Sequence, residues 1–203
     1  MKVYCAGPLF NDKEKEEMAE IAAALQGRGF DVFLPQRDGL ELSKCIDALA
    51  DSGVDRQSAC DCLSKAIFAL DVYQVVEECD AIVVNLNGRV PDEGAVAEAA
   101  LAWYAGKTMV AYKADVRTAF NGYDNPLVMG LFGFRACSSI SQIADELQEI
   151  AQKGFQELLT VERKAEIESL LSFGKRIWHV LCESDNESEI VHVLMDQAGF
   201  PRK

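Results

Sequence analysis

The run Ala81-Ile82-Val83-Val84-Asn85-Leu86 is apolar at five of its six positions. A short, β-branched and nearly continuous apolar run reads as a strand covered on both faces, and such a strand needs helices above and below it. The chain on either side supplies them. Lys2 to Ala6 reads as a first strand ended by Gly7-Pro8, and the Ala-rich, charged stretch from Asp12 to Gln26 reads as a helix closed by Gly27 and Gly29. Phe30 to Leu34 reads as a second strand stopped by Pro35, followed by a polar loop over 36–39 and a helical stretch from near Leu40. Ala59 to Val76 reads as one or two helices, and Ala81 to Leu86 as the central strand. The helix 95–106 follows, and Gly106-Lys107 turns the chain into a strand over 108–112. A polar loop over 113–126, a short apolar helix from Leu127, a fifth strand at Phe134 to Cys137 and a helix from Ser141 to Lys153 complete the pattern. Five strands interleaved with helices predict a doubly wound, parallel five-stranded α/β sheet.

Beyond Gly154 no strand alternation is evident, and amphipathic stretches near 161–173 and 187–197 predict a helical C-terminal extension over 151–203, packed on the 1–150 α/β domain or on a partner subunit. With 49% hydrophobic residues, the 203-residue chain can bury a sizeable core. Its formal net charge of −13 argues against binding a nucleic acid polymer or an anionic membrane. No apolar run is long enough to span a bilayer and no signal-peptide core follows Met1, so a cytoplasmic protein is expected. Seven cysteines without CxxC spacing and two histidines, His179 and His192, support neither a disulfide framework nor a zinc site, so the thiols read as small buried hydrophobes.

In an open α/β sheet, ligands bind outside the carboxyl ends of the strands. Here that rim carries Gly7 to Phe10, Gln36 to Asp38 and Asn85 to Gly94. Glu98 stands out because Ala95, Val96, Ala97, Ala99, Ala100 and Leu101 surround it, making it an ionisable group in a helix whose other residues look buried. It reads either as a nucleophile or as a structural carboxylate satisfied by a Tyr or Arg. Asp92, near the N-cap of the same helix, reads either as a cap or as a second functional carboxylate facing the same crevice. Tyr4, near the end of the first strand, can present a hydroxyl to such a group. There is no Walker lysine motif and no complete GxGxxG, and both histidines fall in the tail, so triphosphate, dinucleotide and Ser-His-Asp chemistries are not indicated.

Several segments together resemble the nucleoside 2-deoxyribosyltransferase family. They are Val3 to Phe10, Leu34 to Gly39, Asp71 ahead of Cys79 to Val84, Asn87 to Gly94, Glu98 and Gly106-Lys107. The resemblance spans about residues 2–150. It implies a flavodoxin-like sheet and cleavage of the bond between a nucleobase and 2-deoxyribose, with transfer of the sugar to another base. It also implies no metal or organic cofactor, nucleoside and nucleobase as small-molecule partners, and a homo-oligomer. On that resemblance Glu98 is the nucleophile, Asp92 exchanges a proton with the base, and Tyr4 orients the nucleophile. Asp71 helps place the nucleoside, Phe10 lines the base pocket, and Gly7, Gln36, Arg37, Asp38 and Gly94 lie on ligand-contacting loops. Asn125, with Asn121, lies near where some members use an asparagine to hold the sugar. Ala100 replaces a glycine found in many relatives, and the tail has no recognisable counterpart.

The implied chemistry suits the residues. Departure of a base gives the anomeric carbon oxocarbenium character that a carboxylate stabilises and traps, and a second attack from the vacated face retains configuration. This reading expects Glu98 to be ionised in the free enzyme. Two alternatives stay open: an N-glycosidase of nucleosides or deoxynucleoside 5′-monophosphates that uses water, and a non-catalytic nucleotide-binding or protein-interaction module.

Overall fold

The computed structural model describes residues 1–40, 42–51, 53, 55–120 and 124–152, with 164, 165, 168, 169 and 172 further on. The chain separates into two units, Met1–Gln156 and Glu157–Lys203. The stretches expected to be helical near 161–173 and 187–197, both histidines, Cys182 and Asn121 lie outside the described residues, apart from the few positions named.

The elements run β1 (Lys2–Ala6), α1 (Asp12–Gly27), β2 (Asp31–Phe33), α2 (Pro35–Asp38), α3 (Leu42–Asp51), α4 (Arg56–Tyr73), β3 (Ala81–Asn85), α5 (Glu93–Tyr104), β4 (Thr108–Tyr112), α6 (Pro126–Gly130) and α7 (Ile140–Gln152). The strands form one sheet of order β2-β1-β3-β4, with every pair parallel. This is the flavodoxin-like arrangement, in which the strand order reverses between β1 and β3.

Among the described residues the sheet has four strands, against the expected five. Gly133 and Phe134 have φ of 59° and 60°, so the chain is still turning where the fifth strand was expected to begin. Only Cys137 reaches the edge of β4, in a single parallel bridge to Tyr112. Its N–H donates to the Ala111 carbonyl and its carbonyl accepts from Lys113 N, both at 2.8 Å. One smaller correction concerns a helix. The expected polar loop over 36–39 is the turn α2, which starts on Pro35 and in which Arg37 N and Asp38 N donate to the Leu34 carbonyl. The stretch over 59–76 read as one or two helices runs along α4 and into a π-helical turn, Gln74–Glu78.

Alternation along the buried strands divides the core into two layers. Val3, Cys5, Val32, Val83 and Val110 face one side, where Met18, Ile21 and Leu25 of α1 and Ile143 and Leu147 of α7 cover them. Tyr4, Ala6, Phe33, Ile82 and Val84 face the other, where α5 presents Ala95, Ala99 and Ala102. Three alanines on one helical face allow close approach to the sheet, and the bulky residues come from the strands. A smaller cluster, Ile46 with Ala59 and Leu63, joins α3 to α4. Among the described residues, no helix is long and apolar enough to cross a membrane.

At the end of β1 the chain passes closer to its neighbours than a side chain allows. A Cβ on Gly7 would lie 2.5 Å from Met18 Sδ and 2.9 Å from Asn85 Cβ, and both of those residues are completely buried. Gly7→Ala should therefore destabilise the protein by about 1–3 kcal/mol. In thermal melts this is a fall of roughly 2–4 °C per kcal/mol for a chain of this size, and an unchanged midpoint would show that the packing there is loose.

Candidate active site

A cavity of about 350 Å³ opens beside the carboxyl ends of β1 and β2, with α4 and α5 as walls. At its base the β1 residue Tyr4, fully buried, donates its hydroxyl to Glu98 Oε1 at 2.6 Å. The Tyr4 ring stacks on Phe33, its directly paired neighbour on β2, with ring centroids 5.4 Å apart and planes 23° from parallel. The phenol thus has little freedom to turn away from the carboxylate. Glu98 lies three residues after Ala95 and four before Ala102, so it shares the core-facing side of α5 with two fully buried alanines.

Asp92 is the N-cap of α5, its Oδ2 accepting from Ala95 N at 2.7 Å, and it also lines the cavity. The loop leading to it is held from below. Lys113, with a side chain only 8% exposed, pairs with Asp124 at 3.1 Å and donates to the carbonyls of Leu86 at 3.2 Å and Gly88 at 3.1 Å. Across the cavity, Ile67, Leu70 and Asp71 of α4 line the opposite wall, as the i, i+3, i+4 spacing of one helical face requires.

Three carboxylates therefore converge on one cavity, and no Lys or Arg is among its described lining residues. Burial pushes the Glu98 carboxyl up from its ordinary 4.5 to about 7. The hydrogen bond from Tyr4 pulls it down, and the nearby Asp71 and Asp92 charges push it up again. Burial also raises Asp71, against a downward pull from the same Tyr4 hydroxyl. Tyr4 is raised as well, by burial first and then by the Glu98 and Asp71 charges, so it stays a phenol. Against the expected ionised Glu98, desolvation outweighs its hydrogen bond from Tyr4 and works to hold the carboxyl in its neutral form.

The remaining sequence-derived candidates divide. Gly7, Phe10, Gln36 and Gly94 line the cavity, and Gln36 is steadied by donating Nε2 to the Lys15 carbonyl at 2.9 Å. Arg37 and Asp38 are not among the lining residues. Arg37 bonds both oxygens of Asp38 at 2.7 Å and donates to the Val32 carbonyl at 2.8 Å, while Asp38 Oδ2 accepts from Leu34 N at 2.8 Å. Together they staple the turn after β2. Asn125 caps α6, accepting from Leu127 N at 3.0 Å, and does not line the cavity. The apolar wall of Leu9, Leu40, Ile67 and Leu70 was not singled out from sequence, although the Ile67-Leu70-Asp71 spacing already placed two apolar residues on the Asp71 face. Among the described residues, no group of three or more His, Cys, Asp or Glu side chains could hold a metal ion.

A doubly wound parallel sheet with a phenol-held carboxylate in a cavity at its carboxyl rim is the layout of an α/β protein that binds a small molecule at the strand ends. The chain belongs to the nucleoside 2-deoxyribosyltransferase family, whose model matches residues 3–180. A conserved protein from Enterococcus faecalis V583 shares the fold, at 24% identity and a TM-score of 0.57, with 73% of this chain and 98% of that one covered. A 2-deoxyribosyltransferase from Bacillus psychrosaccharolyticus is 18% identical, with a TM-score of 0.48 and coverage of 64% of this chain and 81% of that one. A CMP N-glycosidase from Clostridium botulinum is 16% identical, with a TM-score of 0.42 and coverage of 73% and 99%. No curated protein sequence matches the chain significantly.

The raised Glu98 value makes stability depend on pH. Its folded value of about 7 exceeds the ordinary 4.5, so the contribution of the neutral form is complete below about 4.5 and is lost as pH rises through about 7. Above that, the buried anion costs on the order of 3 kcal/mol. Glu98→Gln, which keeps the shape and an acceptor for Tyr4, should therefore melt above the wild type at pH 8–9 and close to it at pH 5. A difference that does not change with pH would show that Glu98 is not strained by its charge.

Proposed function

We propose that the protein cleaves the N-glycosidic bond of a 2′-deoxynucleoside through a covalent Glu98–sugar ester and passes the deoxyribose to a second nucleobase. The observation that carries this reading is the 2.6 Å Tyr4–Glu98 hydrogen bond at the cavity floor. It fixes Oε1 and leaves Oε2 as the attacking atom.

As the base departs, positive charge grows at C1′, and Glu98 stabilises it and closes on it. The ester is attacked from the vacated side by the incoming base, so two displacements restore the configuration. Phe10, Leu40, Ile67 and Leu70 supply an apolar surface for the planar base, while the carboxylates accept hydrogen bonds from sugar hydroxyls. A cavity lined by three carboxylates and, among the described residues, no basic side chain disfavours a 5′-monophosphate and supports an unphosphorylated nucleoside.

The reading includes a division into a 1–150 catalytic domain and a 151–203 extension, a cytoplasmic location and an assembly of identical chains. The exposed Leu101 and Tyr104, one turn apart on α5, offer an apolar ridge suited to subunit contact. Asp92, at the helix entry, is assigned to the region of the base.

The test is a product assay with deoxyinosine, with and without free adenine. A new deoxynucleoside, lost in Glu98→Ala, is the expected result. Free hypoxanthine and deoxyribose alone would favour hydrolysis, and no turnover would favour a binding module. The rate of ester formation should rise with pH through about 7 as Glu98 ionises. Tyr4→Phe removes the bond that favours the anion, so it should shift this limb to higher pH and slow the reaction below it. An unmoved limb would contradict the role given to Tyr4.

A further inference from the structure

The turn that carries the chain from β3 towards α5 is pinned at almost every backbone polar group of its first three residues. Leu86 N donates to the Tyr112 carbonyl at 2.8 Å, and the Leu86 and Gly88 carbonyls both accept from Lys113. Asn87 N donates to Asn85 Oδ1 at 2.9 Å, and Gly88 N to Asp115 Oδ2 at 3.1 Å. Gly88 has a φ of 109°, a conformation that glycine adopts without strain. From there Arg89, Val90 and Pro91 lead directly to Asp92, the cap of α5. Three residues, one with φ fixed by its ring, leave little slack. Where the turn sits therefore decides where Asp92 and the first turn of α5 sit.

The side chains of this turn converge on Glu17, a half-buried residue of α1, which covers the face of the sheet opposite to α5. Glu17 Oε2 accepts from Asn85 Nδ2 at 2.9 Å. Its Oε1 accepts from Asn87 Nδ2 at 2.7 Å and from the Tyr112 hydroxyl at 3.3 Å. The orientation of both amides is set by their oxygens. Asn85 Oδ1 already accepts from Asn87 N, and Asn87 Oδ1 from Ala114 N at 2.8 Å and Asp115 N at 2.9 Å, so each turns its N–H groups to α1. A carboxylate is the side chain that offers acceptors on both of its atoms to two such donors. Asn85 is completely buried, and its amide left without that acceptor would cost about 1–3 kcal/mol. Glu17 borders a second cavity, of about 420 Å³, and is not among the residues lining the cavity that holds Glu98.

We infer that Glu17 is a positioning residue: through the Asn85 and Asn87 amides it fixes the turn after β3, and through that turn it sets the Asp92 cap and the entry of the helix that bears Glu98. The link crosses from one face of the sheet to the other over its carboxyl rim, and 70 positions separate its two ends, Glu17 and Asn87. In its effect on rate the inference rests on the proposed reading of Glu98 and Asp92. A displacement of about 1 Å at a working group slows a reaction about 100-fold, so a turn that slips by a fraction of a residue is felt at both carboxylates. The mechanical part, that Glu17 governs the Asp92 cap, stands apart from any reaction.

The 2.7 Å contact can be reversed at constant net charge, and the reversal is the test. Glu17→Gln sets an amide N–H₂ against one of the two amide donors, and Asn87→Asp sets two carboxylates against each other. In the double variant Glu17→Gln/Asn87→Asp donor and acceptor exchange places. The new amide at 17 donates to the new carboxylate at 87, whose other oxygen still accepts from Ala114 N and Asp115 N, and the amide oxygen at 17 still accepts from Asn85. Below the melting range of every variant, each single substitution should lower kcat for deoxyinosine about 10–100-fold with KM within several-fold, and the double variant should return to within several-fold of wild type. Amide exchange needs no substrate and should follow the same pattern. The Ala95 N–H that Asp92 accepts should exchange ~10-fold faster or more in each single variant and recover in the double. Single variants that melt lower yet keep wild-type kcat and Ala95 exchange would make Glu17 merely structural, and losses that the double variant does not recover would not pass through this contact; either overturns the inference. If the double variant does not fold, the Asn87→Ala background decides: Glu17→Gln should add no further loss there, and additive losses overturn the inference. If the wild type turns over no nucleoside, it is the proposed function that fails, and Ala95 exchange alone decides the role of Glu17.

Discussion

A carboxylate on the inner face of a helix is tolerated only where another group meets it, and in this fold the group that meets Glu98 is a tyrosine from the adjacent sheet. The contact has two requirements. α5 must lie close to the strands, which the Ala95, Ala99 and Ala102 face permits, and Tyr4 must point to the helix side of β1, which the strand's alternation dictates. Phe33, paired with Tyr4 across the strands, then keeps the phenol from rotating. Core packing and the site are therefore one arrangement: the residues that bury the α5 side of the sheet also aim the hydroxyl.

The same arrangement sets the electrostatics. Burying Glu98 opposite Asp71 and Asp92, with one hydrogen bond in compensation, pushes its carboxyl up to about 7, which suits the proposed role of nucleophile and leaving group. An arginine beside Glu98 would have kept it charged and stable but made it a weaker nucleophile in the role proposed for it. Arg37, the cation nearest in sequence to the cavity loops, is turned to Asp38 and the Val32 carbonyl, where it secures the turn after β2. The cavity keeps its acidic character for that reason. Its opposite wall is apolar, so under the proposed function one end suits the sugar and the other a planar base.

Much of this was legible in the chain. The central strand was marked by its continuous apolar run, the helix after it by its alanines, and Asp92 and Glu98 by their place within that helix, because local periodicity and capping chemistry depend on neighbours a few residues away. The resemblance carried by Val3 to Phe10 and Asn87 to Gly94 pointed to the family that the match over residues 3–180 establishes. What local pattern could not reveal was the failure of the fifth strand. Phe134 to Cys137 has strand composition, yet the left-handed turn at Gly133 and Phe134 uses up the residues that would have paired.

The sequence by itself determined the alternation of strands and helices, the carboxylate set and the acidic balance, since these follow from residue identity and short-range spacing. Only the tertiary structure decided that the Tyr4 hydroxyl meets Glu98, which way Arg37 turns, and that burial pushes the Glu98 carboxyl up. Tyr4 and Glu98 are 94 positions apart, with Asp71 between them, and the field each feels depends on a burial and a distance that exist only once β1, α4 and α5 have packed together.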